Sequence, residues 1–98
     1  MPILLKYCMD LTDWQNLQDR LDQAHRATIG SRFGLREFWT MHRAVQERLN
    51  LANSEWVYCR QRGKGSYRFD MLLEQAEESL KNFEAHILIA KLMHKDNE

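Results

Sequence analysis

The chain predicts an all-α fold: an antiparallel hairpin of two long helices with a shorter N-terminal helix packed on it as a three-helix bundle. Three observations carry this. Phe69, Leu73, Ala76, Leu80, Phe83, Ile87 and Ala90 recur at alternating steps of four and three, which holds them on one stripe of a helix. Leu35, Phe38, His42, Val45, Leu49, Ala52, Trp56 and Cys59 keep the same rhythm. The only proline is Pro2, so no such breaker interrupts either run. Two matched stripes joined by a glycine-rich turn cover one another, and the chain folds as one domain over 1–98.

Taken in order, Met1 to Met9 holds Ile3, Leu4, Leu5, Tyr7 and Cys8, too short a stretch for a stable helix and suited to an extended arm or edge strand. Thr12-Asp13-Trp14-Gln15 reads as a capping box, in which the threonine hydroxyl and glutamine amide satisfy donors at a helix start. Leu11, Trp14, Leu17, Leu21, Ala24 and Thr28 then carry the stripe of a helix of about 17 residues, with Gly30 supplying the left-handed residue that ends it.

The second helix meets a difficulty at Asn53-Ser54, both weak helix formers. A stop there leaves an α+β alternative with a small hairpin at 55–69, turning at Arg62-Gly63-Lys64-Gly65. Continuation is favoured because Trp56 and Cys59 stay on the stripe without a phase break. Gly63 then becomes the C-cap, Lys64-Gly65 the turn, and Ser66 or Asp70 the cap of the third helix. Folding back at this turn pairs residues whose numbers total about 128, given equal rise per residue on the two helices. Phe38 then meets Ala90, Val45 meets Phe83 and Ala52 meets Ala76. The last helix runs to the tail Lys95-Asp96-Asn97-Glu98, which should fray.

Composition narrows the function classes. Fourteen basic and fourteen acidic side chains cancel, so no global field draws the chain to nucleic acid or a membrane. The segment from Arg20 to Arg68 nevertheless carries ten basic against four acidic residues, which suggests an acidic last helix beside a basic middle one. Two cysteines, Cys8 and Cys59, are too few for a disulfide scaffold; they fit reduced thiols at one end of the bundle and a cytoplasmic location. No apolar run approaches the roughly 20 residues that span a bilayer. Serines lack a nucleophile-elbow context, and Glu74, Glu77, Glu78 and Glu84 spread as a solvated face, so no enzyme and no cofactor is expected.

Three groupings remain. Trp39 sits beside Phe38 at the edge of the seam, and Leu88, Ile89, Leu92 and Met93 widen the stripe of the last helix, so that this end needs cover on more than one side. Trp39, Phe38, Leu88 and Leu92 are the interface candidates. Because the first helix is too short to cover the whole hairpin, a homodimer completing the bundle follows. Arg60, Arg62, Lys64, Arg68 and Tyr67 cluster at the hairpin tip, where cations beside aromatics can hold phosphate and an unpaired base. His42 falls opposite His86 by the same pairing rule, an arrangement able to share a metal or a haem, although the carboxylates such a site wants one turn away are missing. His25 and His94 read as solvated. The expected function is therefore that of a small non-catalytic adaptor, inhibitor or regulatory protein acting on another protein, with nucleic-acid binding and histidine-ligated metal or haem as the alternatives.

Overall fold

The computed structural model describes residues 11–29, 36–63, 65 and 67–96, the last three as backbone only. Three helices account for nearly all of them: α1 (Thr12–Thr28), α2 (Arg36–Arg62) and α3 (Tyr67–Asp96). At 17, 27 and 30 residues they match the expected short-long-long pattern. The second helix runs through Asn53-Ser54, and Trp56 to Gln61 are helical, so the hairpin alternative at 55–69 does not form. Buried Ala52 and Cys59 on either side of the weak pair explain why: their packing outweighs the local preference of two exposed polar residues.

The order is up-down-up. Side-chain contacts set α1 antiparallel to α2: the indole Nε1 of Trp14 donates to the Leu49 carbonyl at 2.7 Å, and the amides of Gln18 and Gln46 bond each other reciprocally at 2.9 Å. Arg20 reaches Glu77 and Glu84, so α1 runs parallel to α3 and lies along the half of the hairpin remote from its tip. That remote half is called the open end below. The result is a slender rod of 59 × 20 × 16 Å.

The core is one file of side chains along that rod. Its larger part joins Leu17, Leu21 and Ala24 of α1 to Phe38, Val45 and Leu49 of α2 and to Ala76, Leu80, Phe83 and Ile87 of α3. A smaller part nearer the tip gathers Ala52, Phe69 and Leu72 under Trp14 and Trp56. Most of the described stripe positions are buried, with Leu11, Trp14, Thr28, His42, Trp56, Leu73 and Ala90 half-buried at the edges, and Leu72 joins the core from beside the stripe. The pairing rule needs one adjustment: the Phe38 ring lies 6.0 Å from that of Phe83, two turns from the Ala90 level expected for it. Near the open end the packing therefore departs from the level that counting residues assigns.

The helix ends differ in part from expectation. Thr12 is the first helical residue and Leu11 occupies the cap position, while the Gln15 amide turns forward to Asp19 at 3.1 Å. The Gln15 backbone N–H bonds the Leu11 carbonyl, so Thr12 stands one residue inside the cap position expected of it. At the other end α1 stops on extended Ile29, whose N–H bonds the His25 carbonyl. Gly63 closes α2 in the left-handed region at φ 68°, its N–H bonding the Arg60 carbonyl, as its place after the last stripe residue implied. The N-terminal arm with Cys8, the Gly30 cap, Leu35, Lys64, the Ser66 cap, the His94 side chain and the Asn97-Glu98 end of the tail lie outside the described residues.

Candidate interaction surface at the open end

On α3 the positions that face the core are Phe83, Ile87 and, half-buried, Ala90. A step of one residue rotates a side chain by about 100°, so Leu88, Ile89, Leu92 and Met93 are carried round to the outer surface. There they stand 59%, 53%, 57% and 63% exposed. Ala85, also exposed, extends the same stripe by one turn toward the tip, and Lys81, 68% exposed, ends it. The outer face of α3 is therefore apolar over its open-end half, polar at Glu74, Glu78 and Lys81, and carries exposed Tyr67 and Met71 nearest the tip.

Across the bundle, Phe38 and Trp39 part ways. Phe38 is on the α2 stripe with Val45 and Ala52 and is buried in the chain's own core, so it is not available as an interface residue. Trp39, next in sequence, points outward and is exposed. It is not bare: the His25 ring meets it edge to face, with centroids 5.5 Å apart and planes at 79°.

His25 also stacks on His42, with centroids 4.1 Å apart and planes tilted by 31°. This overturns two expectations at once. His42 has its ring partner in α1 rather than at His86, and His25 is half-buried in a three-ring cluster rather than solvated. His86 is exposed, its Nδ1 2.8 Å from the Asn82 carbonyl one turn back. Burial lowers the His42 pKa from its ordinary value; the charge that His25 would carry acts the same way, and the Asp22 carboxylate opposes both. Among the described residues no group of three or more His, Cys, Asp or Glu side chains is gathered to hold a metal ion. The cluster was within reach of spacing: α1 and α2 contacts join residues whose numbers total about 64, and applying that rule to α1, as to the long hairpin, sets His25 near Trp39 and His42.

At the other end, the tip cations are engaged with their own helix. The Arg60 guanidinium lies over the Trp56 ring at 5.1 Å and that of Arg62 over Tyr58 at 4.8 Å, each pair one turn apart. Arg68 and Tyr67 are exposed on the first turn of α3. A base stacking on Trp56 or Tyr58 from that side would first have to displace an arginine. An ion-pair cluster joins α1 to α3: Arg20 Nη2 donates to Glu84 at 2.7 Å and Nε at 3.4 Å, with Glu77 at 3.8 Å. The hydrogen bond to Glu84 holds Arg20 more firmly protonated than usual, against a smaller loss from burial. Between α2 and α3, Arg48 lines an open groove with Glu78 and Lys81. Cys59 is buried, 3.7 Å from a Glu55 carboxylate oxygen.

The chain matches no family model, no curated protein and no solved structure. No helix among the described residues is long and apolar enough to cross a membrane.

Proposed function

We propose that the protein is a non-catalytic docking module, an adaptor, inhibitor or regulatory subunit, that works by presenting the open end of its helical rod to another protein. One observation carries this reading: four large aliphatic side chains stand together on the outer face of α3, past the point where the chain's own core needs them. A face of that kind costs free energy in water and lies outside the core clusters of the described residues, so its natural use is burial against a second surface. Composition supports the same view, since no charged residue stands among Ala85, Leu88, Ile89 and Leu92 within the stripe itself. The nucleic-acid reading rests on the tip, whose Arg60 and Arg62 already lie over Trp56 and Tyr58. The histidine-ligand reading loses its facing pair, because His42 stacks on His25 and His86 bonds its own helix.

A photo-crosslinking amino acid in place of Leu92 and, separately, in place of Tyr58 tests the reading in the protein's native cell. Protein adducts are expected from position 92 and few from position 58. Adducts confined to position 58, above all adducts to nucleic acid, would overturn it in favour of the tip.

A further inference from the structure

We infer that the occupant of the α3 face is a second copy of this chain, laid antiparallel across a two-fold axis that passes between residues 88 and 89. The inference deepens the docking reading and rests on it. Ala85, Leu88, Ile89 and Leu92 repeat at i, i+3, i+4 and i+7, the spacing with which one helix packs along another. All four are exposed.

The stripe is self-complementary only in the antiparallel sense. Turning one copy about an axis between 88 and 89 sets Leu88 against the partner's Ile89 and Leu92 against the partner's Ala85, a large side chain over the smallest one in the stripe. The charged boundary fits as well. The same operation places Lys81 beside the last turn of the partner's α3, where unpaired carbonyls give the helix its negative end. A parallel pairing sets Leu92 on the partner's Leu92 and Lys81 on the partner's Lys81, crowding one level and opposing like charges at another.

Area sets the strength. Leu88, Ile89 and Leu92, with Met93 at their edge, present on the order of 400 Å² of apolar surface, comparable to the largest patch on a typical monomer, which is often functional. With the usual apolar share near 60%, the whole interface would cover roughly 650 Å² per copy, the low end of stable dimers. An interface of that size at the low end is expected to be weak enough for copies to exchange.

Sedimentation equilibrium between about 1 and about 200 μM is the first measurement, since mass action moves the monomer–dimer balance across that range. The full chain should shift from monomer to dimer, and Leu88→Lys should weaken association at least tenfold with its helical circular dichroism intact. Disulfide trapping then reads the register in a Cys8→Ser, Cys59→Ala background. An equimolar mixture of Ala85→Cys and Leu92→Cys chains should cross-link to each other, while Ala85→Cys alone should not. A chain that stays monomeric throughout, or Ala85→Cys cross-linking to itself as readily as to Leu92→Cys, would overturn the inference. The docking reading fails separately, if position 92 yields no protein adduct.

Discussion

At the residue scale the open-end histidines give the sharpest consequence. His42 is held between α1 and α2 with Asp22 and His25 facing it, and burial depresses its pKa below the ordinary 6.5. Between the folded and unfolded values the unfolded chain binds the extra proton, so this group's contribution to stability is complete above pH 6.5 and falls as the pH drops through the folded value. The melting temperature should therefore decline on acidification from about pH 7.5 to about pH 5, where carboxylates stay ionised. His42→Gln, which cannot charge, should flatten that slope; an unchanged slope would show that His42 does not carry it. This cluster also marks how far single residues were legible. Spacing alone places Trp39 beside the seam, whereas His25 reaches it through the α1–α2 register, which the periodicity of the long hairpin does not contain. Phe38 shows the complementary error: a residue on the stripe cannot also be surface, and its burial follows from the same periodicity that named it.

Elements were more legible than residues, because a helix is specified many times over. Seven residues of α2, from Phe38 to Cys59, share one stripe, and two weak formers at Asn53-Ser54 cannot cancel the burial of Val45, Leu49, Ala52 and Cys59. Ends are specified once or twice, and there the outcome turned on single hydrogen bonds. Thr12 begins α1 as a helical residue, not as its cap, since the first backbone bond runs from Gln15 N–H to the Leu11 carbonyl. Gly63 was readable because only a residue without Cβ adopts φ 68° without strain. A Cβ added there meets nothing within 4 Å, so substitution tests backbone conformation alone. Gly63→Ala should cost about 1 kcal/mol, the left-handed penalty less the entropy removed from the unfolded chain. Gly63→Asn should cost less than alanine, as asparagine tolerates that region. Equal stability of all three in urea would mean that the α2–α3 turn does not depend on the left-handed residue.

On the scale of the whole molecule, shape decides how stability is distributed. A compact chain of this length has a radius of gyration near 12.6 Å, yet the Cα value here is 16.4 Å. The rod is long because two helices set its length and α1 covers only half of it, which leaves the core one file thick and each level dependent on a few side chains. Leu21 sits at the middle of α1 with no exposure, packed in the cluster that joins all three helices. Leu21→Ala should therefore cost roughly 2–5 kcal/mol, a large share of the 5–15 kcal/mol that holds a typical domain together. At about 4–8 °C per kcal/mol, thermal unfolding should move down by at least some 10 °C. Leu92→Ala, the same chemical change on the largely exposed outer face and outside the core clusters of the described residues, should leave a dilute sample within about 0.5 kcal/mol of the parent. Should dilute Leu92→Ala lose as much stability as Leu21→Ala, the outer stripe would be core to this chain, and the division between the face that folds the rod and the face left for a partner would be wrong.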